Sequence, residues 1–328
     1  MKIQDILVLK RGYDLPESKR IKGKYLVYSS NGISGCHNEY KIKGPAVITG
    51  RSGSLGNVQY TQNNCWPLNT TLYVSDFKGN NPKYISYLLQ TLHLEKYGSG
   101  SAVPTLNRNH LDNLEVPFHS LTEQQHIVDT VGSLDDKIEN NNKIIIKLEE
   151  LLNLKFKNIY NDALKTGIII NLNDIVNLKT GKKDANAANE NGIYPFFTCS
   201  EKESNIDLYS FNQEAILIAG NGNMSVKYFN GKFDAYQRTY VISSSKYFYY
   251  LYLYYKNFIG NISVGAKGSV IKFLTKSMLL DIDLPILDNI TMQRFESDIQ
   301  KILNYELRLS EENKKLNLLK EKYLKRFF

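Results

Sequence analysis

QDILVLKRG at residues 4–12 and NDIVNLKTG at residues 173–181 agree at five of nine positions, with Asp5 matched to Asp174, 169 residues later. The interval persists along the chain. Tyr25 meets Tyr194, Ala46 meets Ala215, Gly53 meets Gly222, Tyr60 meets Phe229, and Thr122 and Gln124 meet Thr291 and Gln293. Pro117 of LEVPF and Pro285 of IDLPI lie 168 apart, so the intervening gaps are small. A repeat over nearly the whole chain means one structural unit used twice, which governs how every shorter motif is interpreted.

Each copy carries the same order of elements. KYLVYSS, PAVITG and TTLYVS in the first, and IYPFFTC, AILIAG and RTYVISS in the second, are β-branched and aromatic runs between turn-forming residues, the signature of strands. A helical stretch follows (PKYISYLLQTLHLEKY and KYFYYLYLYYKNF), then a Gly/Ser loop, an X-Pro turn at Val116-Pro117 or Leu284-Pro285, and a long closing helix. The tyrosine run YFYYLYLYY (residues 247–255) aligns with the ordinary helix KYISYLLQ. It therefore reads as a buried helix rather than a platform for unpaired bases.

The first long helix is expected to start near Leu121, with Thr122 as N-cap and Gln125 completing a capping box. Ile127, Val131, Leu134, Ile138, Ile145, Leu148, Leu152 and Ile159 form a seam of coiled-coil type, broken at Asn141. The second runs from about Ile290, with Phe295, Ile299, Ile302, Leu309, Leu316 and Tyr323 on its seam. Glu306, Asn313 and Lys320 interrupt it, so part of that face is expected to be wet or covered by another protein. A duplicated unit packs most simply about a pseudo-two-fold axis, which sets the two helices antiparallel. Asn141 and Asn313 then fall near the middle and are expected to pair and fix register. A spacer of about 37 residues at ~1.5 Å each is roughly 55 Å long, about 16 base pairs of B-DNA. The expected fold is α+β. Two similar α/β domains (residues 1–119 and 161–288) are each followed by a helix (residues 120–160 and 289–328), the helices pairing as an antiparallel coiled coil.

The chain has 328 residues, of which 42% are hydrophobic and 23% charged, within the range of folded globular proteins. Its 41 Lys+Arg against 33 Asp+Glu leave a formal charge of +8, which favours a polyanionic partner. No apolar run reaches the roughly 18–20 residues that span a bilayer, so no membrane partner is expected. The N-terminus MKIQDILVLKRGYDLP has no signal-peptide character. Cys36, Cys65 and Cys199 are scattered and form no C-x-x-C pair, which fits a cytoplasmic protein without a zinc framework. Cys36-His37 is an adjacent pair with no further ligands around it, and no metal is expected there.

AVITGRSGSLGNVQY (residues 46–60) resembles a phosphate cradle at first sight, a strand running into Gly50, Gly53 and Gly56. A P-loop requires Lys then Ser/Thr after its last glycine, and a dinucleotide loop opens a helix. Here VQYT follows, which is a strand, so the segment reads as a hairpin. The second copy, AGNGNMSVKYFNG (residues 219–231), keeps the glycine at Gly222 but replaces the polar set. A cofactor loop would keep its ligands through a duplication; a pair of readers of different texts would change them. A tight hairpin without ligand is the alternative at this point.

ITGRSGSLGNVQY, CWPLNTTLYV and NGKFDAYQRTYVI resemble the target-recognition domains of type I restriction–modification DNA specificity subunits. SLTEQQHIVDTVGSLDDKIE resembles the start of that family's spacer helix, and ITMQRFESDIQKIL its degenerate second copy. The resemblance covers essentially the whole chain. Trp66–Asn69 of the first domain is replaced by Ala235-Tyr236-Gln237-Arg238 in the second, so contacts do not transfer one to one. The resemblance implies a non-catalytic subunit in which each domain reads half of a bipartite, asymmetric site in double-stranded DNA. It further implies two docked DNA adenine methyltransferase subunits and, as an additional partner class, restriction/translocase subunits. S-adenosylmethionine, Mg and ATP are then expected only in those partners, and no cofactor in this chain. The chain has no N-P-P-Y-like or D-P-P-Y-like methyltransferase motif, no Walker A sequence and no compact metal-nuclease cluster.

Arg bonds guanine, and Asn or Gln adenine, in bidentate fashion. Arg51, Asn57, Asn69, Asn221, Asn223, Gln237 and Arg238 are of those types on expected loops. Ser52, Ser54, Lys182, Lys183, Lys267 and Lys272 suit phosphates, which position but do not specify. Trp66 and Asn69 have core and turn roles as alternatives, and the C-terminal Lys320, Lys322, Lys325 and Arg326 read as a solvated helix end. Two rival readings stay open: the specificity subunit of a type IIB-like complex, and a two-headed adaptor that binds protein and not DNA.

Overall fold

The computed structural model describes residues 1–99, 104–222, 224–264 and 273–328. The chain divides into two compact units, Met1–Asn141 with Glu311–Phe328, and Asn142–Ser310. Each contains one copy of the strand-rich repeat together with a portion of both long helices.

In the first unit the order is α1 (Ile3–Ile6), β1 (Val8–Arg11), β2 (Tyr25–Ser29), β3 (Gly32–His37), β4 (Ala46–Gly50), β5 (Val58–Thr61), β6 (Cys65–Pro67), β7 (Thr71–Asp76), α2 (Pro82–Thr91), β8 (Gly98–Ser99), β9 (Thr105–Leu106) and α3 (Arg108–Asp112). Helix α4 (Leu121–Thr166) begins here. The second unit holds β10 (Ile168–Asn171), β11 (Val176–Thr180), β12 (Tyr194–Phe197), β13 (Ser204–Ile206), β14 (Phe211–Ala219), β15 (Val226–Ala235), β16 (Thr239–Ser244), α5 (Phe248–Val264), α6 (Lys276–Leu280), β17 (Asp283–Ile286) and the start of α7 (Asn289–Phe327).

The first unit has a four-stranded sheet ordered β1-β7-β4-β5 and a three-stranded sheet ordered β3-β2-β6. The second builds the equivalent strands into one sheet, β11-β16-β14-β15-β12-β13. One long strand makes the difference. β15 pairs antiparallel with β14 along most of its length and parallel with β12 at Asp234 and Ala235. Two glycine pairs kept by the repeat have structural reasons. A Cβ at Gly12 would overlap the Leu68 carbonyl oxygen, and one at Gly181 that of Ala235. Gly53 and Gly222 take φ of +85° and +70°, the left-handed region that side chains disfavour.

Helix α2 buries Tyr84, Ile85, Leu88 and Leu89 against Leu9, Val47, Leu72 and Val74 of the sheet, and Ile127, Val131 and Leu324 of the long helices close that core. In the second unit α5 packs on Ile216, Ile218 and Ile242, with Leu152, Phe156, Phe295, Ile299 and Leu303 from the long helices. The tyrosine run is core, as expected. Tyr250 and Tyr255 are fully buried, and their hydroxyls donate to the carbonyls of Pro285 (2.8 Å) and Leu279 (2.7 Å). Burial raises both phenol pKa values, keeping them protonated donors.

Within each unit α4 and α7 run antiparallel. Asn141 donates to Asn313 Oδ1 at 2.9 Å in a buried contact, the pairing expected from the seam, and also to Glu312 Oε2 at 2.9 Å. The interrupted face of α7 is not left wet where it was expected to be. Lys320 bonds Asp135 at 2.6 Å and lies over the Tyr87 ring, so it is not part of the solvated helix end. Glu306 is partly buried beside Lys256 and Glu149, and its desolvation raises its pKa. The N-cap of α4 is Ser120, not Thr122. Ser120 N donates to Glu123 Oε2 (2.8 Å), and Glu123 N donates to Ser120 Oγ (3.4 Å), completing a capping box two residues earlier. Helix α4 has 46 residues and reaches Thr166, beyond the expected end near residue 160. Leu284-Pro285 is no turn. It lies in β17, with Pro285 opposite Ile169 in a two-stranded sheet where proline costs no interior ladder bond.

Candidate nucleic-acid interface

The glycine-rich segment of the first unit is the loop of a β4–β5 hairpin, closed by Gly50 N to Asn57 O at 3.3 Å. Arg51 N (2.8 Å) and Ser52 N (3.1 Å) both donate to Thr70 O, fastening the loop to the turn that follows β6. Leu106 N donates to Arg51 O at 2.7 Å, adding the β8–β9 segment. A further segment joins through Tyr13 N to Pro67 O at 2.8 Å. Four stretches distant in sequence thus meet at one end of the sheet.

The second unit repeats these crossings with other residues. Ala219 N bonds Ser225 O (3.0 Å) to close the β14–β15 hairpin, and Gly220 N bonds Arg238 O (2.8 Å). Leu274 N bonds Gly220 O (2.8 Å), and Gln237 N bonds Lys183 O (2.9 Å). Even the isolated bridges recur, Ser52 to Thr105 and Asn221 to Phe273. The backbone platform is duplicated, while the side chains standing on it differ.

Arg51, Ser52, Ser54, Asn57 and Asn69 come together in the first unit, and Lys182, Lys183, Asn221, Gln237 and Arg238 in the second. Asn223, Lys267 and Lys272 lie outside the described residues. Ser54, Asn57, Lys182, Lys183, Gln237 and Arg238 are exposed, and Arg51, Ser52, Asn69 and Asn221 are half-buried. Two of the amides are tied to carboxylates. Asn69 Nδ2 donates to Asp14 Oδ1 at 2.8 Å, and Gln237 Nε2 donates to Asp184 Oδ1 at 2.8 Å. One N–H of each amide is spent on joining two loops, and a negative charge stands beside it. Asn57 Nδ2, by contrast, donates to Ser30 O at 3.5 Å. The side-chain amides of Asn69 and Gln237 are therefore already engaged within the fold.

Trp66 is core, buried with Leu15, Val27 and Leu68, its ring 5.2 Å from that of His37 and covered by Lys41 at 4.8 Å. Burial also pushes the Cys65 thiol up to about 12, so it is inert at neutral pH. Among the described residues no group of three or more His, Cys, Asp or Glu is placed to hold a metal ion. No helix among them is long and apolar enough to cross a membrane.

Four basic residues escaped the sequence reading. Arg11 and Arg108 line a cleft of about 450 Å³ with Arg51, Ser99, Thr105 and Asn107. In the second unit Lys179 and Lys276 line one of about 470 Å³ with Lys182, Ser210 and Asn212. One signal was available. Arg108 and Lys276 each open a short helix directly after its N-cap, Asn107 or Thr275, at matching places in the repeat.

The family model described as the type I restriction modification DNA specificity domain matches the chain twice, at residues 1–150 and 169–320. The Escherichia coli type I restriction enzyme EcoDI specificity subunit is 41% identical over 121 residues, 36% of this chain and 27% of that protein. The MjaIX specificity subunit of Methanocaldococcus jannaschii is 26% identical, with 89% of this chain and 82% of that protein aligned. The crystal structure of the S subunit of a type I restriction–modification system from M. genitalium superposes with a TM-score of 0.72 at 19% identity, covering 100% of this chain and 95% of that one. Two family domains in register with the internal repeat, on a fold shared with a solved S subunit, leave one conclusion: the chain belongs to the family of type I restriction–modification DNA specificity subunits.

Proposed function

We propose that each unit reads one half of a bipartite, asymmetric site in double-stranded DNA, and that the chain has no catalytic activity of its own. The observation that carries this reading is the duplicated loop platform with exchanged side chains. Arg51, Ser54 and Asn57 stand on one copy, Asn221 and Arg238 on the other, each at the junction of the same four segments. Arginine and asparagine supply the bidentate groups that distinguish guanine and adenine in the major groove. The +8 formal charge suits the polyanion. Two adenine methyltransferase subunits dock on the long helices and adjoining surfaces, and restriction/translocase subunits join that complex. S-adenosylmethionine, Mg and ATP belong to those partners.

The test is selection of duplexes from a randomised library by the full-length chain, followed by salt titration of the enriched sequence. The reading expects two enriched blocks at a constant gap, with affinity falling steeply as ionic strength rises. Salt-insensitive association with protein only, and no enriched duplex, would instead favour an adaptor.

A further inference from the structure

The two basic clefts are a feature the base-reading candidates do not explain. In the first unit Arg11 comes from β1, Arg51 from the hairpin loop and Arg108 from the start of α3. In the second, Lys179 comes from β11, Lys182 from the following loop and Lys276 from the start of α6. The first cleft thus gathers three cations from three segments and the second three cations from two, and no carboxylate is among the described residues that line either one. Uncompensated like charges raise one another's energy, so three at one place are retained where an anion offsets them. Arg11 is held in place, since its Nε donates to Asn69 O at 3.2 Å. Arg108, Lys179 and Lys276 are exposed at the rims.

The exchange between copies says what kind of anion fits. Arg108 and Lys276 occupy matching positions, so charge is kept while the flat five-donor guanidinium gives way to a point-charge ammonium. A base edge distinguishes those two groups, and a phosphate oxygen accepts either. Resting on the DNA-reading assignment above, we propose that the two clefts seat DNA backbone phosphates. Arg11 and Arg108 in one unit, and Lys179 and Lys276 in the other, are positioning residues that hold the duplex while the hairpin loops meet base edges.

The experiment uses the full-length chain with two duplexes, the enriched sequence and a scrambled one, over a series of KCl concentrations. Arg108→Ala and Lys276→Ala should each weaken both duplexes by the same factor. Each should flatten the slope of log K against log salt by about 0.9 for every phosphate left without its cation. Arg108→Lys should keep the wild-type slope. An unchanged slope in both alanine variants, or a loss confined to the enriched duplex, overturns the proposal and leaves the DNA-reading assignment standing. Failure of the wild-type chain to bind any duplex overturns both together. Unfolding midpoints equal to wild type confirm that the exposed substitutions leave the fold intact, and the two variants in separate units serve as controls for each other.

Discussion

The two units solve one topology in two ways. In the first, Asn63 N folds back onto Thr61 Oγ1 (3.1 Å) and Asn64 Oδ1 accepts from Gly44 N (3.0 Å), so side chains break the chain between β5 and β6 and two sheets result. In the second, the matching residues are Gly231, Lys232 and Phe233. Gly231 takes φ +138° and Phe233 is fully buried, so β15 runs on and joins the sheets. The loop crossings survive this change: Gly12 N to Thr71 O (3.0 Å) answers Gly181 N to Thr239 O (3.2 Å), and Leu106 answers Leu274. Sheet continuity is therefore dispensable, and the crossings that gather the loops are what both copies retain.

Helix capping differs in the same spirit, and the largest expected effect lies there. Helix α2 is capped locally, Asn81 Oδ1 accepting from Lys83 N and Tyr84 N. Helix α5 is capped from α7, where Glu296 accepts from Tyr249 N (3.0 Å) and Tyr250 N (2.8 Å). Glu296 is the repeat counterpart of the core residue Ile127. Glu296→Ala leaves two backbone donors near the core without partners and should cost about 3 kcal/mol in urea unfolding. Asn81→Ala should cost about 1 kcal/mol. A reversed order would break the distinction between local and long-range capping.

The helix seams give a second contrast. Asn141 donates to Asn313 Oδ1 in the first unit, so Asn141→Leu removes that buried hydrogen bond and should cost about 1–2 kcal/mol, most of it regained when Asn313→Leu is added. Additive losses in that double-mutant cycle would mean the pair is not coupled. In the second unit Glu306 Oε2 is buried without a hydrogen-bond partner, beside Lys256 and Glu149. Its pKa is raised above 4.5, chiefly by desolvation, so the folded chain holds this proton more tightly than the unfolded chain. The resulting stability is present at low pH and is lost as pH rises from about 4.5 through the raised folded value. Glu306→Gln should remove that fall and stabilise the chain at neutral pH, a small effect read from unfolding midpoints across the range. An identical pH profile in wild type and variant would contradict the assignment.

Periodicity and repetition made much of this architecture legible. The 169-residue interval matches, to within a residue, the spacing of the two family-domain copies, the heptad seam located the helices and the Asn141–Asn313 pair, and alignment with KYISYLLQ identified the tyrosine helix as core. Features made by long-range contact were not legible. Arg11, Arg51 and Arg108 are almost a hundred residues apart at their extremes and meet only because backbone crossings fold three segments together. Asn69 and Gln237 look like base readers on composition, yet each ties its loop to an aspartate that neighbours it only in space. The Ser120 cap was missed because Thr122 and Gln125 offer the same pattern two residues later, and only the backbone geometry separates them.

The central claim is that the units read separate half-sites independently, and Arg51→Ala tests it most directly. Base preference across the whole site is measured for wild type and variant by selection from a randomised duplex library. Discrimination should relax at one position of one half-site, by about 1–3 kcal/mol, with the other half-site and the gap unchanged. Equal weakening of both half-sites, or no change in either, would contradict the account.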